Sequence, residues 1–181
     1  MDFEVSNIDT ITDEDFGLQI VKHGDSPKVR FGARGIVFNE NGEVAVFFKE
    51  SKNEYKLPGG GIDDGESPQK TFIRECEEEL GVKVEITEML GTIVEEKSQT
   101  NFKQISYAFV AKVIEKTVQN LTQMEKDEGA TVLWRDIDEA LDLITNCIDK
   151  LKASNYDSVY STKFIVLRDR KILEYYLNNH K

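Results

Sequence analysis

The segment Leu57-Pro58-Gly59-Gly60-Gly61-Ile62-Asp63-Asp64-Gly65 constrains the fold of this chain more than any other. Proline removes a backbone donor and the glycines loosen the backbone, so no regular element is expected there. A helix is expected directly after it. Ser67 can cap it, Pro68 suits its first position, and Gly81 suits a left-handed end. The spacing predicts a helix over about residues 68 to 80, joined to a loop that other atoms can approach closely.

That helix is divided lengthwise. With Glu75 at zero and about 100° per residue, Glu78 falls at about 300° and Glu79 at about 40°, so three carboxylates share one edge. Phe72, Ile73, Cys76 and Leu80 form the side expected to be buried, and Glu77 points elsewhere. Like charges at these spacings repel, and near a helix C-terminus the macrodipole repels them further. A divalent cation removes both objections, and hard oxygen donors suit Mg²⁺ or Mn²⁺ better than zinc. A solvated surface face is the plainer explanation of a Glu-rich helix, but such a face does not need the glycine loop upstream. Arg74 has Glu78 one turn ahead and can orient it, and Glu66 stands just before the cap, facing loop or cluster.

Around this unit the sequence alternates in the manner of strands at Val29 to Phe38 and Val44 to Phe48, with Asn41-Gly42 as a hairpin turn between them. Further strand-like stretches lie at Val82 to Ile86, Leu90 to Glu95, Ile105 to Val113 and Thr131 to Trp134, before a helix at Ile137 to Thr145. Residues 1–28 read as a strand or arm around the apolar patch Phe16 to Val21, residues 29–157 as the main domain, and residues 158–181 as a helix packed on that domain or on a partner subunit. A homodimer is therefore one expectation. The whole reads as α+β, a layered α/β/α arrangement of one mixed sheet between helices.

Composition narrows the function. The net charge is -11, which argues against duplex nucleic acid and anionic membranes as partners, because both attract positive fields. A small anionic ligand is compatible with it where cations reverse the local sign. No apolar run reaches a membrane span, and the start Met1-Asp2-Phe3-Glu4 lacks the positive flank of a signal peptide. With only Cys76 and Cys147, reduced thiols and a cytoplasmic location are expected. His23 and His180 belong to no motif and read as surface residues.

The residues resemble a known family. Gly60, Glu66, Arg74-Glu75, Cys76, Glu77, Glu78-Glu79, Leu80, Gly81 and Val82 are similar to the Nudix hydrolase signature at every fixed position, seven residues over a span of 23. The resemblance implies the Nudix fold and metal-dependent hydrolysis of a nucleoside diphosphate linked to a group X. It implies Glu75, Glu78, Glu79 and the Gly59 carbonyl as metal ligands, with Glu66 and Arg74 supporting them. It also implies one more carboxylate from a later loop, for which Glu128 is the choice and Glu125 and Asp127 are competitors. Glu79, Glu75 and Glu128 are the candidate bases for the attacking water.

Substrate choice rests on fewer residues. Tyr55 can stack on a base or pack in the core, and Arg30 or Arg34 can meet phosphate or stand as outward sheet charges. The stretch Lys97-Ser98-Gln99-Thr100 lacks the proline and tyrosine associated with ADP-ribose and dinucleoside-polyphosphate hydrolases, and no segment associated with NADH hydrolysis follows. A nucleoside triphosphate or modified triphosphate, as in the MutT-like branch, is left by elimination. ADP-ribose or another nucleotide sugar, and a catalytically weak nucleotide-sensing or interaction domain, are the alternatives.

Overall fold

Eight strands form one mixed sheet in the computed structural model, which describes residues 5–181. They are β1 (Asn7–Thr12), β2 (Lys28–Phe38), β3 (Val44–Lys49), β4 (Glu54–Lys56), β5 (Gly59–Gly61), β6 (Val82–Lys97), β7 (Phe102–Lys116) and β8 (Ala130–Arg135). The helices are α1 (Pro68–Glu75), α2 (Gln123–Asp127), α3 (Ile137–Cys147) and α4 (Val159–Asn179). The sheet runs β1-β6-β7-β2-β3-β4, with β5 added to β2 and β8 to β3. β6 and β7 form an antiparallel pair, whereas β7 with β2 and β1 with β6 are parallel.

Alternation along the central strands builds two cores. Ala33 and Val37 of β2, with Phe109 and Ala111 of β7, pack under Phe72, Cys76 and Leu80 of the signature helix. Ile36, Ala108 and Val110 leave the opposite face and meet Ala140, Ile144, Phe164, Ile172 and Leu173 of α3 and α4. Period-two side chains between helices on both faces are what the expected layered α+β arrangement requires. The stripe of α4 is thus used inside its own domain, with Tyr160, Leu167 and Tyr176 completing it.

Several boundaries differ from expectation. The N-terminal strand is Asn7–Thr12, which adds to β6, while Leu18, Ile20 and Val21 of the apolar patch stay exposed. Residues 1–4 of the expected arm lie outside the described residues. The two strands expected between Val82 and Glu95 are one, because bulges at Ile86/Glu88 and Met89/Gly91 absorb the break in alternation. The connection through Lys126 and Asp127 contains α2, capped by Thr122 and Glu125 in a reciprocal box.

The glycine loop also departs from expectation, because Gly59–Gly61 pairs with β2 as a short strand. β2 meets β3 only at Phe38↔Val44, so farther along its edge Gly32, Ala33 and Arg34 are free to pair with Gly61, Gly60 and Gly59. Gly59 has φ 147, and a Cβ there would lie 2.4 Å from the Ala33 carbonyl oxygen. Only glycine lets the loop lie this close.

Candidate active site

The signature helix is not uniform. α1 obeys its caps, with Ser67 Oγ accepting from Lys70 N at 3.2 Å, but Cys76–Leu80 winds as a π turn before Gly81 ends it at φ 66. A continuous α-helix to residue 80 was the expectation, and the wider turn alters the spacing on which a wheel of 3.6 residues per turn depends. Ile73, expected on the buried side, is 37% exposed, whereas the Glu79 side chain is only 2% exposed.

Arg74 is the hub of the acidic edge. Its Nε and Nη2 donate to the two oxygens of Glu66 at 2.9 Å each, and its Nη1 donates to Glu75 at 2.9 Å and Glu78 at 3.1 Å. Thr71 Oγ1 donates to Glu66 at 2.6 Å. Glu79 accepts from Gly59 N at 2.9 Å and lies 3.6 Å from Lys56 Nζ. A Cβ at Gly60 would fall 2.2 Å from Glu75 Oε1, so the absence of a side chain there is what lets that carboxylate rest against the loop.

Burial and partners set the charges apart. The Arg74 guanidinium holds the Glu66 carboxyl down to about 2. Burial pushes Glu75 up and, with Glu75 as a neighbouring negative charge, pushes Glu79 up to about 7. Titratable groups displaced in this way, in a cleft, mark a candidate site.

Glu75, Glu78 and Glu79 all line one cleft of about 630 Å³, together with Gly59, Gly60 and Gly61. Arg30 and Arg34, expected on the ligand side, line it as well. Tyr55 does not: its ring stacks on Phe48 at 4.3 Å and packs against the core beneath α3 and α4. Glu128 is tied to Lys49 at 2.6 Å and to Ser154 at 2.8 Å and does not line the cleft, whereas its competitor Glu125 does. His23 and His180 lie elsewhere, bonded to the Ser98 carbonyl and to Glu88.

Sequence reasoning missed Lys49, Lys56, Lys97 and Arg168, which line the same cleft. One signal was available for Arg168. Phe164, Arg168 and Ile172 are spaced four apart on α4, so a guanidinium occupies the row of a buried apolar stripe.

Among the described residues, no three His, Cys, Asp or Glu side chains converge on one metal-sized point. Arg74 draws Glu75 and Glu78 aside, and Lys56 stands by Glu79. The donor chemistry nevertheless fits a hard divalent cation: carboxylate oxygens beside a backbone loop, one of them buried with its charge poorly compensated.

Residues 28–154 match the family described as NUDIX domain. The chain belongs to the Nudix family. The Nudix match starts at β2 and stops short of α4, so β1 and the helix carrying Arg168 lie outside it. An RNA pyrophosphohydrolase of Tolumonas auensis is 35% identical over 57 residues, 32% of this chain and 33% of that protein. A MutT-like protein of Streptomyces ambofaciens is 27% identical over 105 residues, 58% of this chain and 62% of that protein. The chain spans about a third of the length of the RNA pyrophosphohydrolases it matches. Among solved structures, a NUDIX hydrolase from Nitrosomonas europaea superposes with a TM-score of 0.60 at 14% identity, covering 85% of this chain and 92% of that one. A UDP-X diphosphatase gives 0.53 at 15% identity, covering 93% and 71%. At these identities the likeness is one of fold, and the fold is that of the Nudix family. Nudix hydrolases generally use divalent cations.

Proposed function

We propose that this Nudix protein hydrolyses a nucleoside diphosphate linked to a group X, with a nucleoside triphosphate or modified triphosphate as substrate and Mg²⁺ or Mn²⁺ as cofactor. The observation that carries the reading is the gathering of Glu75, Glu78 and Glu79 against the glycine loop, in a cleft also lined by Arg30, Arg34, Lys49 and Lys56. The names of the relatives, an RNA pyrophosphohydrolase and a UDP-X diphosphatase among them, agree in the bond broken and differ in X.

Glu75, Glu78, Glu79 and the Gly59 carbonyl would hold the cation, and Glu125 replaces Glu128 as the added carboxylate because it faces the cleft. A bound divalent cation supplies charge neutralisation for phosphoryl oxygens and a more acidic water. Arg74 orients Glu75 and Glu78, and Glu66 fixes Arg74 from behind. Glu79, buried against Gly59 N in the cleft, takes the proton of the attacking water. Arg30 and Arg34 meet the phosphates. A reducing, cytoplasmic setting agrees with Cys76 and Cys147 both being free and buried. The apolar stripe of α4 is covered by its own sheet, so that stripe no longer argues for a homodimer.

The test is turnover of dGTP, 8-oxo-dGTP, ADP-ribose and a dinucleoside tetraphosphate by the native chain, Glu79→Gln and Glu77→Gln. Glu79→Gln is expected to lower kcat about 100-fold, about 2.7 kcal/mol of transition-state stabilisation. Glu77, which does not line the cleft, is the control and changes turnover little. Equal losses at both positions would defeat the assignment of the acidic edge, and preference for ADP-ribose would move X from phosphate to sugar.

A further inference from the structure

Lys97 and Arg168 have no role in the proposed hydrolysis, and they stand beside Arg34, which does. Lys97, Arg34 and Arg168 come from β6, β2 and α4, all three line the cleft, and all are nearly buried, at 8%, 6% and 2% exposure. Two carboxylates stand with them that do not line the cleft. Glu95 accepts from Arg168 Nη1 at 2.9 Å and lies 3.3 Å from Lys97 Nζ, and Asp169 accepts from Arg168 Nε at 2.8 Å and lies 3.5 Å from Arg34 Nη1. The three cations outnumber these two carboxylates, and the acidic neighbours in the cleft, Asp157 and Glu79, have cations of their own in Lys52 and Lys56.

Donors are left over as well as charge. Arg168 Nη2 and both Nε and Nη1 of Arg34 are buried with no hydrogen-bond partner among the described residues. An unsatisfied buried donor costs about 1–3 kcal/mol, more for a charged group, so donors held this way call for an acceptor. Burial, with Arg168 as a neighbouring like charge, pushes Arg34 below its ordinary value; burial and Arg168 act in the same direction on Lys97, against Glu95. An anion in the cleft would offset the positive charge of these side chains and offer their guanidinium groups an acceptor. The planar guanidinium forks are matched to phosphate or carboxylate oxygens, and carboxylates behind them fix their orientation.

Resting on the proposed hydrolase reading, we infer that Arg34, Lys97 and Arg168 form a phosphate-recognition subsite for a phosphate group of X, so that the substrate class is one in which X is phosphorylated rather than a neutral sugar. Ser161, Ile165 and Arg168 share one face of α4 and line the cleft together, so the C-terminal helix supplies this wall. Arg34 and Lys97 lie inside the matched Nudix segment, whereas Arg168 of α4 lies beyond its end at residue 154.

The experiment uses the full chain and inorganic tripolyphosphate as probe, by titration calorimetry with EDTA present, so that no divalent cation on the glutamates contributes. Native protein is expected to bind it. Lys97→Gln and Arg168→Gln should each weaken binding at least tenfold, and Arg168→Lys, which keeps the charge but loses the fork, should weaken it less than Arg168→Gln. Arg168→Gln strands Glu95 and Asp169 and can fail to fold; Lys97→Gln removes one contact to Glu95 and decides the matter alone in that case. In parallel, kcat/KM for ATP relative to ADP-ribose should fall at least tenfold in Lys97→Gln, mainly through KM for ATP. Equal tripolyphosphate affinity in the native chain and Lys97→Gln, or no binding by the native chain, overturns the subsite. Loss of all turnover on both substrates with tripolyphosphate binding and its Lys97 dependence intact would instead overturn the hydrolase reading and leave the subsite standing.

Discussion

Glu79 is buried where its charge is poorly repaid by solvent, and Glu66 is held by a bidentate arginine, so the two carboxyls respond to pH with opposite sign. The Glu79 carboxyl rises from 4.5 to about 7 on folding, so the folded chain binds more protons in that window and Glu79's contribution to stability is lost as pH climbs through it. In metal-free protein, Glu79→Gln is expected to raise the melting temperature at pH 8, by up to about 3 kcal/mol in stability, and to change it little at pH 5. A melting series across pH with EDTA present checks this, and a destabilised mutant at pH 8 contradicts it. Glu66 works the other way: pulled down to about 2, it contributes stability above its ordinary 4.5 that is lost as pH falls toward 2. Gly60 offers a second test at the same scale. Gly60→Ala places a methyl group 2.2 Å from Glu75 Oε1, so the carboxylate must move and turnover should fall at least tenfold. Circular dichroism should stay native, since the clash is with the end of a side chain.

α4 contributes Phe164, Ile172 and Leu173 to the core at 0% exposure, each worth about 1.5–3 kcal/mol of burial. Ending the chain at Asp157 therefore removes burial worth about 4.5–9 kcal/mol, comparable with the whole stability of an ordinary domain. The expected product is insoluble or molten, read as light scattering and loss of a cooperative melt; a soluble, equally stable truncation would show the helix to be peripheral. Elements were the most legible part of this sequence where local chemistry decides them. Ser67, Pro68 and Gly81 fix the ends of the signature helix because capping is a local matter. The pairing of Gly59–Gly61 with β2 was not legible, because glycine carries no side-chain pattern and the partner edge is free only once β2 and β3 diverge. The position of Glu128 was not legible either: its Lys49 and Ser154 partners are distant in sequence, and a count along the loop cannot separate it from Glu125.

At the scale of the molecule, a chain of net charge -11 keeps a cleft in which Arg30, Arg34, Lys49, Lys56, Lys97 and Arg168 stand among four glutamates and Asp157. Local sign and overall sign are thus separated, which composition alone cannot reveal. A divalent cation that binds only the folded state stabilises it by mass action, by about 2.7 kcal/mol at a hundred times its dissociation constant. Mg²⁺ or Mn²⁺ should accordingly raise the melting temperature of the native chain and do so much less for a Glu75→Gln, Glu79→Gln double mutant. Equal shifts in the two proteins would place the cation elsewhere.

The bond from Leu57 N to Asp169, 2.9 Å long, joins the start of the glycine loop to α4 across 112 residues. Synthesis proceeds from the N-terminus, so a growing chain carries the complete glutamate signature long before it can make this contact. Until α4 has been made and has docked, Leu57 N lacks this acceptor and the cleft lacks Arg168. The cleft therefore takes its final form only after α4 has been made, later than the glutamate signature that lines its other side.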